Sequence, residues 1–194
     1  NLRDGKSFTT RQVHALQDGE IIFSSLLSFA KPEQGLEYQC TEPEYPAPDQ
    51  LMSEQQHKEL IYADMPEAKR SLLMKQFNLR MHPVHPFNPF KPVKNPAVYA
   101  EYVQTFEKIP EDLDTVMIHQ AIVAYYSDYN LLTTSLRPHG VSYANGGIRS
   151  ASLDHSLHFH HPFRADEWLL YDMHATRSSQ SRGMNYENEG YGLS

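Results

Sequence analysis

Residues Thr115–Tyr126 form the feature that most limits this fold, because a helix there would be apolar nearly all the way round. Val116, Met117, Ile118, Ala121, Ile122, Val123, Ala124 and Tyr125 leave it no continuous polar face. Such a helix must be buried, and the expectation is that a sheet wraps it. The flanking sequence agrees. Ala97–Phe106 holds Tyr99, Tyr102 and Phe106 among β-favouring residues and reads as a strand. Ile148–His160 and Trp168–Ala175 read as two more strands, with Pro162–Asp166 turning the chain between them. Asp112 or Asp114 would cap the helix, and Asn145-Gly146-Gly147 is a turn.

The N-terminal part carries a second sheet signal. Ser7–Leu16 alternates and is rich in Phe, Thr and Val. Gln17-Asp18-Gly19-Glu20 supplies the positive φ angles of a tight hairpin, and Ile21–Ala30 returns. Two strands alone cannot bury a core, so this hairpin reads as part of an incomplete module. Lys31–Leu51, with Pro32, Pro43, Pro46 and Pro48, reads as a linker. Ser53–Tyr62 and Glu67–Phe77 read as short helices, and the proline-rich Arg80–Pro96 as an extended crossing segment. The expected division is therefore 1–30, a hairpin of a first module; 31–96, linker and crossing segment; and 97–194, a second module.

Composition narrows the function. With 40% hydrophobic and 21% charged residues, the 194-residue chain should fold. A net charge of −7 argues against a general nucleic-acid surface or an anionic membrane surface. No apolar run approaches the ~20 residues that span a bilayer, so membrane insertion is not expected. Cys40 is the single cysteine, which rules out an intrachain disulfide and reads as an incidental thiol.

Asp128 directly follows the apolar helix. A carboxylate at a helix C-terminus opposes the macrodipole, and burial would disfavour its charge further. Both effects would make it a better general base. Ser152 lies in Ala151-Ser152-Leu153-Asp154-His155-Ser156-Leu157-His158-Phe159-His160. On a strand, Ser152 and His155 would face opposite ways, which disfavours a local nucleophile–base pair. His158 and His160 would share a face, yet they lack a clear third metal ligand. No cofactor is expected. Arg137, His155 and Arg164 are candidate substrate contacts, the arginines for phosphate.

These segments together resemble acyl-CoA thioesterase II, the bacterial TesB type and its peroxisomal relatives. The resemblance rests on Asp128-Tyr129, on Leu136-Arg137-Pro138-His139-Gly140 and on Ala151–Ser156. It continues through Phe159-His160, Pro162–Tyr171 and the opening Leu2-Arg3-Asp4-Gly5-Lys6-Ser7-Phe8 with Gln17-Asp18-Gly19. It implies an α+β double hotdog, each module an antiparallel sheet wrapped round one long helix. Here the first would be incomplete and the second would lack its last strands. It also implies hydrolysis of fatty acyl-CoA to fatty acid and CoA by activated water. In that family an Asp, a Thr or Ser, and a Gln do this; the first two fall on Asp128 and Ser152.

The third residue has no counterpart: Gln180 precedes the Arg182-Gly183 landmark, and Met184–Ser194 does not look like the family's final strands. An inactive acyl-CoA-binding fragment is therefore the alternative reading. A dehydratase pairing an acid with His119 or His155 is a third. The resemblance further implies a homo-oligomer, peroxisomal in a eukaryote and cytoplasmic in a bacterium, although Gly192-Leu193-Ser194 is not a Ser-Lys-Leu-type signal.

Overall fold

The computed structural model describes residues 1–75 and 77–192, with backbone alone for 188–192. The last two residues of the Gly192-Leu193-Ser194 tripeptide, and Gln76 near the end of the expected second helix, lie outside the described residues. The chain divides into two compact units, Asn1–Thr41 and the part from Glu42 onward.

The first unit is an antiparallel sheet of β1 (Arg3–Asp4), β2 (Phe8–Gln17) and β3 (Glu20–Ala30). The hairpin forms where expected. Asp18 and Gly19 turn the chain with φ angles of 51° and 87°, the paired positive values that match the twist of two strands. The sheet buries little of its apolar surface: Phe8, Ile22 and Leu26 are all exposed.

The second unit begins in the stretch expected to link and cross, and the two short helices expected within it both form. Helix α1 (Glu54–Ile61) starts at a capping box in which the Ser53 hydroxyl accepts from the Gln56 amide. The Gln56 side chain accepts from Ser53 N in return. Helix α2 (Glu67–Leu73) follows. The chain then enters β4 (Leu79–Pro83), which pairs antiparallel with β5 (Val98–Thr105). The start of the proline-rich segment is therefore an edge strand, a place where missing N–H donors are tolerated.

Helix α3 (Val116–Tyr126) lies where its sequence placed it, but its burial differs. It buries one stripe, His119, Val123 and Tyr126, while Met117 and Tyr125 are exposed. That stripe packs on the sheet face carrying Tyr99, Tyr171 and Met173. Its N-cap is Thr115, whose hydroxyl accepts from Ile118 N, and not Asp112 or Asp114. Helix α4 (Leu131–Thr134) follows a sharp reversal at Asn130, whose φ is 59°.

Two further corrections concern the C-terminal part. Ile148–His160 forms no strand: it runs without ladder partners. The strands are β6 (Leu169–Ser179) and β7 (Arg182–Gly192), joined through Gln180 and Ser181 at positive φ. The tail therefore does make a strand. The sheet order is β4-β5-β6-β7, antiparallel throughout.

Period-two alternation decides which side chains meet α3. Met81, Tyr99, Val103, Leu169, Tyr171 and Met173 pack with Val123 and Tyr126 of the helix. On the other face Ala100, Tyr102 and Leu170 pack under Tyr45, Leu51 and Trp168. No helix among the described residues is long and apolar enough to cross a membrane.

Candidate active site at the end of helix α3

Asp128 stands two residues beyond the end of α3, where the helix has already stopped and its side chain reaches solvent. The burial expected for this carboxylate is absent. The residue before it, Ser127, is fully buried and closes the helix, its N–H donating to the Val123 carbonyl. A buried residue followed by an exposed one gives the carboxylate a fixed root and an open face.

The loop 148–160 returns to this helix end at two points. The Ser152 hydroxyl donates to Asp128 Oδ1 at 3.0 Å. His155 Nε2 lies 2.8 Å from the Ser127 hydroxyl. That hydroxyl also donates to the Ala124 carbonyl at 3.2 Å. With its single proton committed there, the imidazole is the donor to Ser127. Ser152 and His155 thus each hold α3's end, and neither holds the other. The strand alternation that argued against pairing them does not exist, but the outcome is the same.

Two contacts hold the helix end from below. The Tyr171 hydroxyl on β6 donates to the Ser127 carbonyl. The Asn130 side chain donates at 2.9 Å to Glu101 on β5, a carboxylate only 1% exposed. Glu101 also accepts from the Tyr99 hydroxyl at 3.4 Å. Burial pushes the Glu101 carboxyl up to about 7, although the bond from Asn130 favours its charged form. Glu101, Ser127, Asn130 and Tyr171 were all missed from sequence. Only Glu101 carried a signal, as an acid in the middle of an apolar strand.

The remaining predicted contacts lie elsewhere. Arg137 is turned inward, its Nε donating to the Pro96 carbonyl and its guanidinium 5.4 Å from the Tyr99 ring centre. Arg164 is held by Asp114 and Asp166, with nitrogen–oxygen distances of 2.9 Å to each, and pairs with Glu167 at 3.6 Å. His119 is buried near the start of α3, far along the helix from Asp128. Its Nδ1 accepts from Ala165 N at 3.0 Å, so its Nε2 donates to Asp114 at 2.8 Å. A cleft of about 280 Å³ beside this cluster is lined by Val116, Phe163 and Arg164 and does not include Asp128. His158 and His160 stack on one another. Gln180 is in the β6–β7 turn and accepts from Arg182.

Asp166 anchors this second cluster. It is 1% exposed and accepts from Ile109 N as well as twice from Arg164. Burial pushes its carboxyl up, but the Arg164 and Ile109 bonds, with the Lys108 charge, hold it below its ordinary value. Asp166→Ala should therefore destabilise the protein by about 2–3 kcal/mol, below the usual cost of breaking a buried ion pair because Arg164 is partly solvated. Urea unfolding measures this, and an unchanged midpoint would refute it.

The helix end with its returning loop falls inside the region that matches a known family. The family model for acyl-CoA thioesterase matches residues 74–189. Acyl-CoA thioesterase 2 of Haemophilus influenzae is 30% identical over 183 residues, 94% of this chain and 63% of that protein. Mouse acyl-coenzyme A thioesterase 8 is 32% identical over 197 residues, 94% of this chain and 58% of its own length. Among solved structures, acyl-CoA thioesterase II TesB2 from Mycobacterium marinum superposes with a TM-score of 0.70 at 29% identity, covering 97% of this chain and 64% of that one. The chain thus spans about six-tenths of the length of these relatives. A match that runs through both the sheet and the Asp128 loop makes this chain a member of the acyl-CoA thioesterase family.

Proposed function

We propose that this chain carries acyl-CoA thioester hydrolysis, releasing free fatty acid and CoA, with Asp128 as the base that activates water. The observation that carries this reading is the Ser152–Asp128 hydrogen bond, formed across 24 residues of chain. An exposed carboxylate oriented by a hydroxyl can take a proton from a water beside it. The same hydroxyl can help to hold that water against the thioester carbonyl. No covalent acyl-enzyme is required, since Ser152 donates to a carboxylate and no imidazole stands behind it as a base.

His155 contributes by closing the loop on Ser127, next to the reacting groups. Arg137 and Arg164 serve the scaffold in their present pairings, so binding CoA phosphate would require either to leave its partners. The architecture we infer is that of a double hotdog, with the first unit supplying part of one module and the second unit most of another. Homo-oligomerisation belongs to the same reading and is supported by the exposed Phe8, Ile22, Leu26, Met117 and Tyr125. Peroxisomal placement in a eukaryote, or cytoplasmic placement in a bacterium, follows the family.

Thiol release from a fatty acyl-CoA, followed by free CoA detection, tests the activity. Turnover supports the proposal. Binding of acyl-CoA without thiol release would show instead an inactive binding fragment, and a change in enoyl absorbance without thiol would show a dehydratase.

A further inference from the structure

Next to the Asp128–Ser152 pair stands a buried polar group with no part in that reading. Tyr171, on β6, is 1% exposed, and its hydroxyl donates to the main-chain carbonyl of Ser127. The same hydroxyl lies 2.6 Å from Glu187 Oε2 on β7. A phenol has one proton, and a carbonyl can only accept. With that proton on the Ser127 carbonyl, the contact to Glu187 needs a proton from the carboxyl itself. The neutral acid then donates to Tyr171, and Tyr171 donates to Ser127.

The surroundings favour that neutral form. Glu187 Oε1 is buried and has no hydrogen-bond partner among the described residues. An anion there would leave one oxygen unsolvated. Burial pushes the Glu187 carboxyl up and the Asp128 charge pushes it further, while the Tyr171 bond and His155 pull it down; the net direction is upward. Among the described residues, Tyr171 on β6, Asp128 beyond α3 and His155 in the returning loop are titratable groups that face it. Helix α4, also packed on β7, has none.

We propose that Tyr171 and Glu187 form a positioning pair for Asp128, fixing the carbonyl of the residue immediately before it and so the direction of its carboxylate. The proposal rests on the reading of Asp128 as the base. The pair is intact while Glu187 is protonated. When pH rises through the Glu187 value, the new anion draws the Tyr171 proton away from Ser127 and places a second negative charge near Asp128. Hydrolysis should therefore fall on the alkaline side as Glu187 ionises.

Glu187→Gln supplies an amide donor in place of the protonated acid, and it cannot ionise. In kcat–pH profiles it should keep the wild-type maximum and lose that alkaline decline. Tyr171→Phe removes the link and should lower kcat about tenfold below the Glu187 midpoint, with KM little changed, and by less above it. Carboxyl carbon-13 NMR reads the Glu187 midpoint without needing turnover. That midpoint should lie above the ordinary glutamate range and fall in Asp128→Asn, which removes the neighbouring charge. An alkaline limb shared by wild type and Glu187→Gln, or a Glu187 midpoint that Asp128→Asn leaves in place, would overturn the positioning pair. Wild-type hydrolysis in Asp128→Asn would instead overturn the base assignment, and the NMR measurement would still judge the pair by itself.

Discussion

Asp128→Asn is expected to lower kcat for acyl-CoA hydrolysis by about 10²- to 10⁴-fold while leaving the fold intact. The substitution is nearly isosteric, and Asp128 is exposed, so no core contact is lost. The amide can still accept from the Ser152 hydroxyl through its carbonyl oxygen, which preserves the 3.0 Å contact. What disappears is the ability to take a proton from water. The loss should therefore appear in kcat, with KM little affected, because nothing that binds substrate has been removed.

Ser152→Ala separates the two roles. On the proposed reading it removes the hydroxyl that orients the carboxylate and the water but leaves the base, so its loss should be smaller, about 10- to 100-fold. A variant that keeps wild-type kcat after Asp128→Asn would place the base elsewhere. Titratable alternatives around it include His155 and Glu187. His155 already donates to Ser127, and Glu187 is buried behind Tyr171.

Local pattern sufficed for elements whose residues are chosen by local rules. The Asp18-Gly19 turn needs positive φ at both positions, and few other dipeptides tolerate that. Strand β5 is rich in β-favouring residues, and helix α3 is a long apolar run of helix length. The loop 148–160 misled because its alternation of Ser, Asp and His with apolar residues looks like a strand, yet nothing in the sequence supplies a partner ladder. Its side chains are used instead to hold the end of α3, which is a tertiary choice. The tail misled the other way: Asn185, Glu187 and Asn188 have low strand propensity, but β7 is stabilised by its register with β6.

The site divides along the same line. Asp128 and Ser152 stand out in the local sequence, take their roles from the resemblance, and are brought together. Glu101 and Tyr171, far apart in sequence from Asp128, support it from the sheet beneath, and only the topology β4-β5-β6-β7 places them there. Apolarity around α3 suggested enclosure, but the described fold covers only the stripe of His119, Val123 and Tyr126.

Stability should fall as pH rises through the range in which Glu101 ionises. Its carboxyl has an ordinary value near 4.5 and is pushed up to about 7 in the fold, with burial the largest cause. The folded state therefore holds the proton more tightly than the unfolded chain. The stabilisation is complete below about 4.5, declines between 4.5 and about 7, and is lost above that. A shift of this size corresponds to about 3 kcal/mol, because each pKa unit is worth roughly 1.4 kcal/mol. The Glu54 charge adds to the upward push, whereas Lys58, paired with Glu54 at 3.0 Å, and the Asn130 and Tyr99 hydrogen bonds oppose it.

Glu101→Gln removes the charge and keeps the geometry. Its carbonyl can accept from Asn130, and its amide can donate to the Tyr99 oxygen, reversing the bond in which Tyr99 donates to the carboxyl. At pH 8 the variant should thus be more stable than wild type by up to about 3 kcal/mol, and at pH 4 nearly equal to it. Urea unfolding across that range measures both curves, and parallel curves would refute the assignment. The functional stake lies in Asn130, which sits two residues past Asp128 in a left-handed conformation. Its side chain is held by Glu101 in either protonation state, since one carboxyl oxygen always remains an acceptor. Removing that acceptor altogether, as in Glu101→Ala, leaves a buried amide without its partner and a cavity under the loop that carries Asp128. That variant should lose stability at every pH, in contrast to Glu101→Gln. The difference between the two separates the cost of the buried charge from the hold that its oxygen keeps on the loop carrying Asp128.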